Sequence, residues 1–187
     1  MDLSEAQWQT VIRHTTAMDH PSSGGRNAPD VVMLTLATLL GDVNQILVSH
    51  TDYMRAGPTV WSTWAFTPTG LAHVSATFEP DNYDALEDRE RRRPGSFDKP
   101  VEPLTLTAWV RPLHTATSFT VTRVHHKSWT DHIGIHRQFT PLEIELAFGT
   151  TTSSIGIKTW PDDQAKREQW KEFVATASAA VAGGIPA

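Results

Sequence analysis

The segment from His125 to His136 is the part of the sequence whose residue types best fit metal chemistry. It holds four of the nine histidines of the chain together with an aspartate. Neutral imidazole nitrogens and carboxylate oxygens are ligands that zinc and nickel accept. The candidate metal ligands are His125, His126, Asp131, His132 and His136. A divalent metal bound there would indicate a metal-dependent or histidine-based hydrolase.

The spacing of these histidines favours a simpler interpretation. His132 and His136 would share a face on a helix, but Ile133-Gly134-Ile135 between them favours extended chain, in which their side chains lie about 13 Å apart. No glutamate follows His132, as the helical zinc motif requires. The sequence also contains no G-x-S-x-G elbow, P-loop or dinucleotide-binding glycine pattern. We therefore interpret the histidines as polar loop and sheet-surface residues without a cofactor, and keep the hydrolase as the alternative.

The composition excludes several classes of protein. The chain of 187 residues has no cysteine, which excludes disulfides, thiolate zinc sites, iron–sulfur clusters and a cysteine nucleophile. Its net charge of -5 argues against broad binding of nucleic acid. The densest apolar stretch, Val31 to Leu40, is about half as long as a membrane-spanning helix. Because the N-terminus has the pattern of an amphipathic helix and not of a secretory signal, we expect a cytoplasmic protein without membrane insertion.

Periodicity of the apolar residues predicts the elements that must position any site. A capping box at Ser4 and Gln7 predicts a helix from about Ser4 to Ala17. The stretch Val31 to Leu40 fits a helix that Gly41 ends, which we favour, but also a strand. Seven strands with a period of two follow: Ile46 to Tyr53, Thr59 to Phe66, Leu71 to Phe78, Leu104 to Arg111, Thr117 to His125, Leu142 to Phe148 and Ser153 to Trp160.

The apolar residues of these strands predict which face of each is buried. Leu104, Leu106, Ala108 and Val110 alternate along one strand, as do Leu142, Ile144, Leu146 and Phe148 along another, so we expect one dry and one wet face. Asp162 or Asp163 is the expected cap of a last helix, whose apolar stripe includes Trp170, Phe173 and Ala177 and which Gly183 ends.

Seven strands followed by one amphipathic helix is the element order of the pleckstrin-homology-like (PH-like) superfold. The hairpin WAFTPTGLAHVS, the pair LEIELAF and SSIGIKTW, and the helix PDDQAKREQWKEFVATASAAV resemble a bacterial PH-like domain over about Val43 to Ala182. The predicted fold is therefore α+β: a mainly antiparallel β-sandwich or barrel of about seven strands with a C-terminal helix, as the resemblance implies, and one or two N-terminal helices in addition to it. The predicted domains are a helical extension at 1–42, which the resemblance does not cover, and a PH-like domain at 43–187.

The loop that binds lipid headgroups in such domains supplies only Arg55 here, which argues against phosphoinositide binding. The long connection from Glu79 to Pro103 contains Arg91, Arg92 and Arg93, but its eight acids outnumber its five bases. We expect these charges to pair along a short helix near Tyr83 to Arg92. A headgroup or small-molecule sensor would need Arg55 and these arginines to converge, and it ranks last.

No residue set forms a recognisable catalytic group, so the favoured function is a non-enzymatic interaction module. It would bind a protein partner or a second copy of itself. Trp8 and Trp129 are the candidate aromatic anchors, because tryptophan is enriched among the residues that dominate protein interfaces. Arg55, Arg91, Arg92 and Arg93 are the candidate charged contacts.

Overall fold

The computed structural model describes residues 3–17, 26–54, 57–79, 83–157 and 164–183. Within them the fold is α+β, with two antiparallel sheets and four α-helices. The helices are α1 (Glu5–Thr15), α2 (Asp30–Leu40), α3 (Ala85–Arg91) and α4 (Gln164–Val181). The strands are β1 (Val48–Met54), β2 (Thr59–Phe66), β3 (Gly70–Phe78), β4 (Thr105–Pro112), β5 (Ala116–Thr130), β6 (Ile135–Phe148) and β7 (Thr151–Gly156). The chain divides into two compact units, 1–111 and 112–187.

The first unit is built on a four-stranded sheet in the order β1-β2-β3-β4. β2 and β3 are joined by a tight turn in which the Thr67 N–H donates to the Gly70 carbonyl at 2.9 Å. Successive side chains of a strand point to opposite faces, so Trp61 and Trp64 of β2 lie on different sides of this sheet. Trp61 belongs to the buried core that the sheet shares with the helices.

Helices α1 and α2 cover one face of that sheet. The capping box at Ser4 and Gln7 starts α1 as predicted, and the apolar stripe of α1 places Val11 in the core. α2 contributes Val32, Met33, Leu36 and Ala37, all fully buried. The N-terminal helices are therefore part of the core of the first unit, and the apolar stripe of α1 is already covered.

The second unit consists of a three-stranded sheet in the order β5-β6-β7 and helix α4. Its buried face carries Leu142, Ile144 and Leu146 of β6. The stripe of α4 that contains Trp170 and Phe173 is buried as well. The Trp170 indole N–H donates to the carbonyl of Pro141 at 2.6 Å, so a polar contact joins α4 to β6.

Most of the predicted elements are confirmed. All seven strands and the first, second and last helices are present, although the end of the last predicted strand, 158–160, lies outside the described residues, and Val31 to Leu40 is helical. The short helix in the acidic connection is α3. The predicted cap at Asp162 or Asp163 lies outside the described residues. The two compact units meet at 111–112, whereas the predicted domain boundary lies at 42. That boundary stays a prediction. The sandwich and the PH-like arrangement stay predictions as well.

Two structural predictions are wrong. The alternating residues of β4 were expected to face a dry core, but Leu106 and Val110 are 45% and 41% exposed. β4 is the outer strand of its sheet, and an alternating pattern does not by itself ensure that a second layer covers the apolar row. The second error concerns the connection after His125: it is not a loop, because β5 runs to Thr130 and β6 begins at Ile135.

Candidate functional site

The distal half of the β5–β6 hairpin, residues 124–141, is the candidate site and is called the arm below. Here β5 pairs with β6 from Val124 opposite Pro141 to Thr130 opposite Ile135. Within the described residues β7 pairs with β6 between Glu143 and Phe148, so in that part of the chain the arm is a two-stranded ribbon. The arm carries Lys127, Arg137 and four histidines but a single acid, Asp131, in a chain whose net charge is -5.

The turn at the tip of the arm is held by Asp131. Its carboxylate Oδ1 accepts the N–H groups of Ile133 and Gly134 at 2.8 and 3.1 Å. Gly134 has a φ of 149°, a conformation that side chains disfavour. The N–H of Ile133, the neighbouring His136 and the N–H of Gly134 hold the pKa of Asp131 below its usual range. The tip is therefore a defined hairpin turn.

Two cross-strand stacks stiffen the arm. His126 stacks on Phe139 with ring centroids 4.7 Å apart, and Trp129 stacks on His136 at 5.3 Å. The Nε2 of His136 also lies 2.9 Å from the Asp131 Oδ2, an ion-pair distance, although its angle is not that of a hydrogen bond. Cross-strand pairs of this kind each stabilise a ribbon by roughly 0.2–1 kcal/mol.

The two faces of the arm differ in character. Val124, Ile135 and Phe139 lie on one face, together with His126 and Arg137, and this surface is called the apolar face. Val124 is 48% exposed, Ile135 is 70% exposed and Phe139 is 65% exposed. At the tip, Ile133 is 77% exposed. The opposite face carries Lys127 and Trp129, the latter 43% exposed. Val124 is a diagonal neighbour of Phe139, whereas Arg137 lies between Phe139 and Ile135, so these exposed apolar side chains share the face with polar and charged residues.

The hydrogen-bond register shows which backbone groups of β5 point away from β6. The Asp131 N–H donates to the Gly134 carbonyl at 3.0 Å, so this pair is of the hydrogen-bonded type and the types alternate from there. The backbone N–H and C=O groups that point to the outer edge then belong to Val124, His126, Ser128 and Thr130. Two observations at Pro141 agree with this register: proline has no N–H to offer β5, and its carbonyl accepts from α4.

The predicted metal ligands lie in the arm. His125 and His126 are neighbours on β5 and point to opposite faces, while His136 and Asp131 are together at the tip. His132 is an exposed residue of the turn. In the described part of the chain no three His, Cys, Asp or Glu side chains are grouped so that they could hold a metal ion. The metal site and the hydrolase stay predictions from the sequence.

The predicted partner-binding residues are spread over both units. Trp129 is exposed in the arm, whereas Trp8 is partly buried against the core of the first unit. Arg91 pairs with Glu87, Arg92 with Asp88 and Arg93 with Glu90. The expected pairing of charges along the short helix is therefore present. Arg55 lies outside the described residues.

Sequence reasoning missed Val124, Ile135 and Phe139 as surface residues. The signal that could have found them is the turn Asp131-His132-Ile133-Gly134 between stretches of β-forming residues. The polar and charged residues around this turn carry no clean alternation, so the local pattern favours a loop.

The first unit contains a second group of polar residues that was not predicted. His73 stacks on Trp64 at 3.8 Å, and its Nε2 lies 2.9 Å from the Ser62 hydroxyl. Burial, with a smaller contribution from Arg111, lowers the pKa of His73 to about 4. His14 of α1 lies 2.9 Å from the Ser49 hydroxyl, and burial likewise lowers its pKa to about 4. Both imidazoles are therefore neutral at pH 7.

None of the helices within the described ranges is long and apolar enough to cross a membrane. Comparison of the chain with models of protein families, with curated proteins and with solved structures finds no match.

Proposed function

We propose that this protein is a non-enzymatic interaction module that binds another protein, or a second copy of itself, through the arm. The observation that carries the proposal is the apolar face, where Val124, Ile135 and Phe139 are each about half to two thirds exposed. Burial of such a side chain contributes about 1.5–3 kcal/mol when it is complete. A partner that covered all three would gain binding free energy comparable to that of an interface hot spot, about 2 kcal/mol or more.

A PH-like scaffold for this module is part of the proposal. What supports it is the chain order of the elements, four strands, then three strands, then the C-terminal helix. Members of that superfold include peptide binders and rigid interaction modules, so the scaffold is compatible with the function, but fold by itself does not select it.

The experiment that tests the proposal uses a photo-crosslinking amino acid, p-benzoylphenylalanine, in cells that make the protein naturally. One variant carries it at Phe139 in the arm, and a matched control carries it at Phe97, another phenylalanine that is fully exposed at 103%. We expect a discrete protein adduct from position 139 that is absent from position 97.

The adduct is then identified and the purified protein is titrated with it. We expect the double variant Phe139→Ser/Ile135→Ser to weaken binding at least tenfold and Phe97→Ser to leave it unchanged. Phe97→Ser should keep the stability of the wild type, and the double variant should lose at most about 1 kcal/mol, because it removes the stack of Phe139 on His126. Equal adducts at both positions, or equal affinity of both variants, would overturn the proposal.

A further inference from the structure

We propose that the outer edge of β5 in the arm binds an extended acidic segment of the partner as an additional strand. This inference rests on the proposed function and names the class of partner. In the described part of the chain no strand pairs with that edge, because β5 is an outer strand of its sheet. The register points the backbone N–H and C=O groups of Val124, His126, Ser128 and Thr130 outward, which is the arrangement that accepts a further strand.

The length and regularity of this edge fit a strand of about seven residues. Irregularities in the pairing occur between Ala116 and Val124, but from Val124 to Thr130 the register is continuous. Native edge strands are commonly blunted by a bulge, a proline or a charged residue. Between Val124 and Thr130 the only such device is Lys127, so backbone pairing is open along both sides of that residue.

The charge of the edge selects an acidic partner. β5, from Ala116 to Thr130, contains no aspartate or glutamate at all, and Lys127 lies exposed at the centre of the regular stretch. Opposite charges directly across two strands are favourable, and like charges are unfavourable. A carboxylate opposite Lys127 is therefore the side chain that this edge favours.

The arm of a second copy does not provide that carboxylate. Two β5 edges paired antiparallel offer Lys127 no acid in any register, because β5 has none. The outer edge of β6 in the arm does not provide one either, since Ile135 to Leu142 contains Arg137 and no acid. Charge thus disfavours pairing of two arms and favours an acidic segment from outside the arm, which we assign to the partner.

The two faces of the arm specify the side-chain pattern of the ligand. Residues of the added strand opposite Val124, His126 and Ser128 lie on the apolar face, and the residue opposite Lys127 lies on the other face. The expected ligand is an extended segment in which apolar and acidic residues alternate. Its apolar residues would extend the surface formed by Val124 and Phe139.

The test uses a blocked heptapeptide of alternating valine and glutamate, with the lysine counterpart of the same length as the control probe. Binding is measured at pH 7.5 and low ionic strength by titration calorimetry, and backbone protection is measured by amide hydrogen exchange. We expect the glutamate peptide to bind at least tenfold more tightly than the lysine peptide. It should slow exchange at the amides of Val124, His126, Ser128 and Thr130.

Two pairs of variants separate backbone pairing from charge. Ser128→Pro removes one outward N–H and leaves the bonds to β6 intact, so it should abolish binding, whereas Ser128→Thr should retain it. Lys127→Glu should reverse the preference between the two peptides, and Lys127→Arg should preserve it. Binding of the glutamate peptide that survives Ser128→Pro, or that is indifferent to Lys127→Glu, would overturn the inference.

Two further outcomes would indicate a ligand other than an acidic strand at the β5 edge. A duplex oligonucleotide that binds the arm more tightly than the glutamate peptide would indicate a nucleic-acid ligand, and a concentration-dependent dimer that the peptide dissociates would indicate a second copy. Each result overturns the inference. Crosslinking at Phe139 and its loss in Phe139→Ser/Ile135→Ser report on the proposed function separately, so a partner that docks only on the apolar face would leave that function standing.

Discussion

Replacement of Asp88 by alanine is expected to be the most damaging single change in the connection between β3 and β4. The carboxylate of Asp88 is 2% exposed and accepts three hydrogen bonds. The Tyr83 hydroxyl donates to Oδ2 at 2.7 Å, Arg92 Nε donates to Oδ2 at 2.8 Å, and the Val101 N–H donates to Oδ1 at 2.8 Å. One side chain thereby holds both ends of the connection to α3.

The magnitude follows from what alanine would leave behind. Removing one partner of a buried ion pair costs about 3–5 kcal/mol, and the lower end applies here because Arg92 is partly exposed and keeps Glu102 and the Val101 carbonyl as partners. A stability of roughly 5–15 kcal/mol is ordinary for a domain, so Asp88→Ala would remove a large part of it. The matched control is Glu87→Ala, which removes an i,i+4 pair with Arg91 on the same helix, but at an exposed position. The control should cost far less than Asp88→Ala, because solvent screens a pair at the surface.

Urea unfolding followed by tryptophan fluorescence measures both changes, and amide hydrogen exchange at Val101 supplies a local reading. A loss below about 1 kcal/mol for Asp88→Ala, or equal losses for both variants, would refute the reasoning. The wild type should also show an acid dependence that the variant lacks. Burial by itself raises the pKa of Asp88, but the bonds from Arg92, Tyr83 and Val101 outweigh it and hold the pKa below its usual value. Stability from this group is thus complete above the unfolded pKa of about 3.9 and is lost as pH falls through the lower folded value.

Two other predictions concern each unit separately. Because His14 and His73 have pKa values of about 4 in the folded protein and about 6.5 when unfolded, unfolding takes up protons between these values. Stability should therefore fall as pH is lowered from about 6.5 to 4, and urea midpoints that do not change over this window would contradict it. Trp170→Phe removes the indole bond to β6 and should cost about 0.5–1.5 kcal/mol. Urea unfolding measures this loss, and an unchanged midpoint would show that the bond contributes nothing.

The strands could be predicted because their apolar residues alternate where a face is buried. Leu142, Ile144 and Leu146 show this well, and all are buried. The same alternation misled at β4, where Leu106 and Val110 are exposed. An alternating pattern predicts which side chains share a face of the strand, but it does not predict whether another layer covers that face. Coverage depends on tertiary packing, which the local sequence does not contain.

The arm could not be predicted for the opposite reason. Where both faces of a ribbon meet water, no burial enforces a pattern, so polar and apolar residues are mixed on each face. Residues from His126 to Phe139 form β-structure through cross-strand contacts with partners up to 13 positions away. The pattern of neighbouring residues along the sequence does not predict such pairs. The residue types between His125 and His136 therefore indicate metal ligands, whereas the local pattern gives no sign of the hairpin that holds them.

The way in which the arm is stabilised bears on what it can bind. An isolated two-stranded ribbon is marginal in water, and this one is held by the Asp131 turn and by the stacks of His126 on Phe139 and of Trp129 on His136. All of these contacts use the turn, the faces or the bonds between β5 and β6. None of them uses the outward backbone groups of β5. The edge is thus ordered before a partner binds, so binding costs the conformational entropy of the added strand but not that of β5.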